Sequence, residues 1–116
     1  MLKRTALALV VLMAPALVLA HVYLRGTEPA DGTVLESPPA RVKMEFVGSL
    51  EPAFSRVEVF APDGEKVSGK TRFFEGDSIM EASLKEGLGP GVYEARWICV
   101  SLDGHKQTGL FKFEIK

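Results

Sequence analysis

The feature that most constrains the fold is a two-residue alternation of apolar and charged side chains. Val42, Met44 and Phe46 alternate with charged residues, and the same alternation recurs over residues 56–60 and 111–115. Successive side chains of a strand point to opposite faces, so this pattern is typical of strands with one buried face. No part of the chain beyond the first twenty residues shows ten residues of helical periodicity. The sequence therefore predicts an all-β chain.

Turn signals divide these alternating runs into short strands. Asp31-Gly32, Pro38-Pro39, Asp63-Gly64 and Asp103-Gly104 are examples of turns that recur roughly every ten residues, a spacing typical of β-sandwiches. We therefore predict a seven-stranded, immunoglobulin-like Greek-key β-sandwich. The expected strands cover residues 22–27, 42–46, 56–60, 70–74, 79–84, 92–101 and 108–115.

Tyr93 follows Gly89-Pro90-Gly91 at the start of the longest predicted strand. At this place a tyrosine corner would tie a crossover loop to the sheet through the phenol hydroxyl. The alternative interpretation is an ordinary core aromatic.

Residues 1–20 have the pattern of a secretory signal peptide. Lys3 and Arg4 precede an apolar stretch over residues 6–20, and small residues at 18 and 20 suit cleavage before His21. The alternative is an uncleaved anchor, but this stretch contains Pro15 and is shorter than the roughly 20 residues that span a bilayer. We predict an exported domain of residues 21–116 that begins at His21.

The charge and the length of this domain limit the functions that it can have. Residues 21–116 hold 12 basic and 15 acidic residues, so they lack the cationic surplus that nucleic-acid binding needs. A domain of 96 residues buries roughly two thirds of its unfolded surface. That is enough for one sandwich core but not for a deep catalytic cleft as well, which argues against an enzyme.

Cys99 is the single cysteine of the chain, so no intrachain disulfide can form. It lies within the run Trp97-Ile98-Cys99-Val100, which predicts a buried strand and an unreactive thiol. Because Cys99 shares strand parity with Trp97, Ser101 and Asp103, a role as a soft metal ligand stays open.

The two histidines, His21 and His105, form the most informative feature for function. A mature N-terminal His21 offers its α-amine, whose ordinary pKa is about 8, and its imidazole to one metal. Asp103 and His105 lie two residues apart, which in extended chain turns both side chains to one face. Three nitrogens and a carboxylate suit Cu(II), with zinc as the competitor. The alternative is an incidental surface histidine beside an ordinary Asp103-Gly104 hairpin turn.

An ordered set of motifs runs along the whole predicted mature chain: His21, Thr27 to Gly32, Pro38-Pro39, the strand from Val42 to Phe46, Glu51 to Ser55, Gly89 to Tyr93, Trp97 to His105 and Gly109-Leu110-Phe111. This set resembles the periplasmic copper-resistance protein C (CopC) family. By that resemblance the Cu(II) ligands are His21 (amine and imidazole), Asp103 and His105, with Trp97 packed nearby. The resemblance implies a periplasmic, monomeric copper carrier or buffer for copper homeostasis or resistance, with an inner-membrane CopD-like transporter as partner.

Two departures from the family pattern limit the copper sites that we expect in this chain. Some members have an acidic residue near the copper soon after the second strand, whereas this chain has no carboxylate over residues 46–49, before Glu51. Other members bind Cu(I) through a methionine-rich loop, because thioethers are soft donors. After residue 20 this chain has only Met44 and Met80, both in predicted strands. We therefore expect one Cu(II) site, packed methionines and no Cu(I) site.

Two alternative functions remain at this stage. One is a metal-free, immunoglobulin-like interaction module in which both histidines are incidental. The other is a copper-dependent polysaccharide oxygenase, which also begins with a metal-chelating histidine but needs a flat substrate face and usually a longer chain.

Overall fold

The computed structural model describes residues 21–116, which form eight β-strands and no helix. The predicted signal peptide lies outside these residues and stays a prediction. Within them, no helix is long and apolar enough to cross a membrane. The strands are β1 (Tyr23–Glu28), β2 (Thr33–Leu35), β3 (Arg41–Val47), β4 (Arg56–Phe60), β5 (Arg72–Phe74), β6 (Ile79–Ser83), β7 (Gly91–Val100) and β8 (Lys106–Ile115).

Two four-stranded sheets make up the sandwich. One has the order β1-β3-β6-β5 and the other β2-β8-β7-β4. The chain changes sheet at every connection except the β5–β6 and β7–β8 hairpins, as expected of Greek-key connectivity. The predicted all-β sandwich is confirmed.

The predicted number of seven strands is wrong by one. Seven observed strands overlap the expected ranges, with ends that differ by no more than two residues. The additional strand is β2, which pairs in parallel with β8 at a sheet edge. Its three residues are half-buried or exposed, so it is too short and too open to show an alternation pattern.

The alternating apolar residues face inward, as expected. Met44 of β3 lies opposite Met80 of β6, and both side chains are fully buried. Burying one such side chain contributes about 1.5–3 kcal/mol, so the core stabilises the fold without a disulfide. The predicted inward residues Val42, Met44, Phe46, Val57, Val59, Phe111, Phe113 and Ile115 are all at most 4% exposed.

Tyr93 forms the predicted tyrosine corner. Its ring is buried in the core, and its hydroxyl donates a hydrogen bond of 2.7 Å to the carbonyl of Gly89. The bond ties the loop before β7 to the sheet, so Tyr93 is more than a core aromatic.

Replacing Tyr93 by Phe should lower the free energy of unfolding by about 1 kcal/mol, because one hydrogen bond is lost while the ring stays packed. Urea denaturation measures the change through the midpoint at constant slope. The control is Tyr23→Phe, since Tyr23 is 65% exposed, and this variant should unfold like the parent. Equal effects of the two substitutions would contradict a structural role for the Tyr93 hydroxyl.

Candidate metal centre

The predicted ligands gather at one end of the sandwich. There β1 begins beside the end of β3, with Tyr23 paired to Val47. A bridge between Leu50 and Ser101 links the segment after β3 to the end of β7. The turn between β7 and β8 carries Asp103 at the same end.

A tight turn between β7 and β8 places Asp103 next to His105. The Ser101 amide donates to the His105 carbonyl at 3.0 Å, and the Gly104 amide donates to the Ser101 carbonyl at 2.9 Å. Gly104 has φ +87°, a left-handed conformation that glycine adopts without steric cost. The two-residue spacing predicted extended chain here, but the two side chains approach each other because the backbone turns.

The Asp103 carboxylate is held by its neighbours. Its Oδ1 accepts hydrogen bonds from the Ser101 hydroxyl and, at 3.3 Å, from the His105 amide, while its Oδ2 lies 2.9 Å from His105 Nδ1. These hydrogen bonds hold the pKa of Asp103 well below its ordinary range; the bond from Ser101 has the largest effect and the side-chain bond to His105 the next largest. The side chain of Asp103 is 19% exposed against 69% for His105. The site therefore has a fixed carboxylate beside an accessible imidazole.

His21 completes the group of candidate ligands. Its ring stacks near that of His105, with centroids 5.6 Å apart at 29°. One candidate ligand atom from each of His21, Asp103 and His105 can be chosen so that all three lie within 4.8 Å of one another. Ligands on opposite sides of a metal at 2.0–2.1 Å are about 4.2 Å apart. Small side-chain rotations therefore suffice for the three residues to hold one ion.

Sequence reasoning missed the residues that position these ligands. A Cβ at Gly48 would lie 2.7 Å from the His21 carbonyl, so the absence of a side chain lets the His21 backbone pack there. The Gln107 side chain donates to the Val22 carbonyl at 3.0 Å. The Ser101 bond could have been suspected from its two-residue spacing to Asp103, but no local signal marks Gly48 or Gln107.

Trp97 and Cys99, the other residues considered on β7, have packing roles in the structure. Trp97 meets Phe46 edge-on at 6.2 Å and covers Gly109, where a Cβ would lie 2.5 Å from the indole. Cys99 is 1% exposed, and burial raises the pKa of its thiol, which keeps it protonated and a poor ligand. Among residues 21–116, the group that can hold a metal consists of His21, Asp103 and His105.

Comparison with known families assigns most of the described residues to one family. The family model of the CopC domain matches residues 24–116. The chain belongs to the CopC family. The matched region runs from Leu24, the second residue of β1, to Lys116, so it contains Asp103 and His105 but not His21. The family resemblance recognised from the sequence motifs is confirmed.

Two curated relatives match almost the whole CopC chain. The copper transport protein CutJ of Bacillus subtilis (strain 168) is 33% identical over 111 residues, which cover 94% of this chain but 20% of CutJ. Protein YobA of Escherichia coli (strain K12) is 30% identical over 117 residues, covering 97% of this chain and 94% of YobA. The chain thus spans one fifth of CutJ and nearly all of YobA.

Solved structures of the family have the same sandwich. CopC from Methylosinus trichosporium OB3b superposes with a TM-score of 0.74 at 25% identity, covering 83% of this chain and 94% of that protein. PcoC, a methionine-rich copper resistance protein from Escherichia coli, gives a TM-score of 0.71 at 24% identity, covering 84% of this chain and 100% of PcoC. Both solved proteins thus share the fold of this chain.

Proposed function

We propose that this CopC protein is exported to the periplasm, where it holds Cu(II) at one site and acts as a carrier or buffer in copper homeostasis or resistance. The observation that carries the proposal is the convergence of His21, Asp103 and His105 at one end of the sandwich, with ligand atoms within 4.8 Å. Cleavage before His21 would add the α-amine as a further donor. The protein would then act by binding copper rather than by catalysis.

The donor set supports Cu(II) as the metal. Imidazole, amine and carboxylate groups in a tetragonal arrangement suit Cu(II), which also binds most tightly in the divalent series. Zn²⁺ prefers a tetrahedron of nitrogen, sulfur or carboxylate ligands. We expect Cu(II) to displace Zn²⁺ from the site at equal concentrations.

The buried methionines support a site without Cu(I) chemistry. Met44 and Met80 are the methionines among residues 21–116, and both are fully buried opposite each other in the core. A thioether there could not reach an ion without disrupting the packing of both sheets. A second equivalent of copper, or Cu(I) supplied under reducing conditions, should therefore find no methionine site.

The exposure of the ligands supports exchange with a partner. His105 is 69% exposed, and it lies on a turn, where incoming ligands can reach a bound ion. In CutJ a similar domain belongs to a chain about five times longer that is named a copper transport protein. We propose that the present protein, as a monomer, exchanges copper with a separate inner-membrane transporter of the CopD kind.

Electron paramagnetic resonance of the secreted, naturally processed protein with one equivalent of Cu(II) tests the proposal. One axial species with nitrogen couplings is expected. The same equivalent should raise the melting temperature, because a ligand that binds only the folded state stabilises it. Asp103→Asn should weaken binding, whereas Asp63→Asn should not, since Asp63 lies in the β4–β5 connection, and its Oδ1 accepts the Glu65 amide.

Two results would overturn the proposal. A mixture of loosely bound copper species with an unchanged melting temperature would favour a metal-free interaction module. Peroxide-driven release of oxidised sugars from chitin or cellulose by the copper-loaded protein would instead reveal a polysaccharide oxygenase.

A further inference from the structure

We propose that Gln107 is a positioning residue that ties the N-terminal arm, His21 and Val22, to strand β8 and thereby slows the release of copper. This inference rests on the proposed function, because it concerns the same site. It assigns a role to a side chain that is not itself a ligand.

The N-terminal arm lies beyond the ladder that holds β1. The first paired residue of β1 is Tyr23, opposite Val47, and β1 has β3 as its hydrogen-bonded neighbour. His21 and Val22 therefore precede the first backbone pair of their sheet. A ligand in such a terminal position frays easily unless other contacts hold it.

Gln107 supplies a polar contact to the arm. Its Nε2 donates to the Val22 carbonyl at 3.0 Å, across 85 residues of chain. Val22 directly follows His21, and Gln107 lies two residues after His105. This hydrogen bond thus connects the two ligand-bearing segments, one from each sheet, at the metal end.

Gln107 is itself well placed to act as a fixed support. Its backbone lies in β8 opposite Cys99 of β7, and Cys99 is anchored in the core. The arm has two further contacts, the buried Val22 side chain and the close approach of Gly48 to the His21 carbonyl. These are packing contacts, whereas the Gln107 bond fixes the direction of the Val22 carbonyl, one residue after His21.

Loss of this bond should act on copper release more than on folding. Copper leaves a chelating site by stepwise release of its ligands, and a freer arm lets the His21 donors detach more often. Groups that orient metal ligands typically change metal affinity by 10–100-fold when removed. Because this bond is only partly buried, we expect an effect at or just below the lower limit of that range, about fivefold to tenfold.

Two substitutions separate the hydrogen bond from the polarity of the side chain. Gln107→Leu keeps the bulk without a donor, and Gln107→Asn keeps the amide but is one methylene too short to reach Val22. Both should release Cu(II) to an excess of chelator about fivefold to tenfold faster than the parent. The control Thr108→Ala removes an exposed hydroxyl from the next residue of β8 and should release copper at the parent rate.

A measurement without copper checks that the arm itself is affected. In the copper-free parent, the Val22 amide should have a nuclear magnetic resonance order parameter typical of rigid backbone, and both Gln107 variants should lower it. The Tyr23 amide shares a peptide plane with the Val22 carbonyl and should follow it, whereas the Thr27 amide, paired with Met44 further along β1, should change little. The melting temperatures of the copper-free variants should remain close to that of the parent.

The outcomes distinguish the two proposals. A parent protein that fails to bind one Cu(II) would overturn the proposed function itself. If the parent binds Cu(II) but both Gln107 variants release it at the parent rate, the positioning role is wrong and the proposed function stands. A Val22 order parameter that both variants leave unchanged would likewise contradict the role of the hydrogen bond.

Discussion

A Ser-Gly-Ser-Gly-Ser extension ahead of His21 should lower the affinity of the processed protein for Cu(II) by about 10²- to 10⁴-fold. The extension moves the free α-amine five residues away and converts the His21 nitrogen into an amide. The amine and the imidazole then no longer belong to one residue and cannot close a small chelate ring. Competition with a chelator of known affinity measures the change.

The same five residues placed after Lys116 provide the control for this extension. Lys116 hydrogen bonds through its backbone amide to the Leu35 carbonyl, at the edge formed by β2 and β8 and not at the metal centre. The control protein should bind Cu(II) as tightly as the parent. Parent-like affinity after the N-terminal extension would show that the α-amine is not a ligand, and the predicted cleavage before His21 would lose its functional meaning.

Most of the sandwich could be predicted because its signal is local. Val42, Met44 and Phe46 alternate with charged residues within one strand, so the sequence alone predicts that one face of the strand is buried. Strand β2 was missed because its pairing depends on a partner far along the chain. Thr33 lies beside Phe113 of β8, and no pattern in the three residues of β2 or in their neighbours predicts that pairing.

The candidate ligands were predictable for a chemical reason and their supports were not. Histidine is rare in this chain, with two in 116 residues, which made His21 and His105 prominent, and Asp103 stood out because it lies two residues from His105. The contact from Gln107 to Val22 spans 85 residues and carries no chemical signature of its own. It exists because the fold brings the start of β1 against the start of β8.

Replacing Phe113 by Ala should lower the free energy of unfolding by about 3–5 kcal/mol. Phe113 is 1% exposed, and its ring stacks on that of Tyr93 with centroids 5.5 Å apart at 9°. The substitution would leave a cavity between the two sheets and remove an aromatic pair. Since small domains are stable by only about 5–15 kcal/mol, a large drop in the urea midpoint is expected.

Phe54→Ala is the matched control, because Phe54 is 65% exposed and its removal should change stability by no more than about 0.5 kcal/mol. Copper provides a second comparison. Phe113 lies near the far end of β8 from His105, so the folded Phe113→Ala protein should bind Cu(II) like the parent and gain the same free energy from it. A variant that loses copper affinity along with stability would show that packing around Tyr93 and the metal centre are coupled. Lower stability with unchanged Cu(II) affinity would mean that the sandwich core holds the site in place but does not affect its affinity for copper.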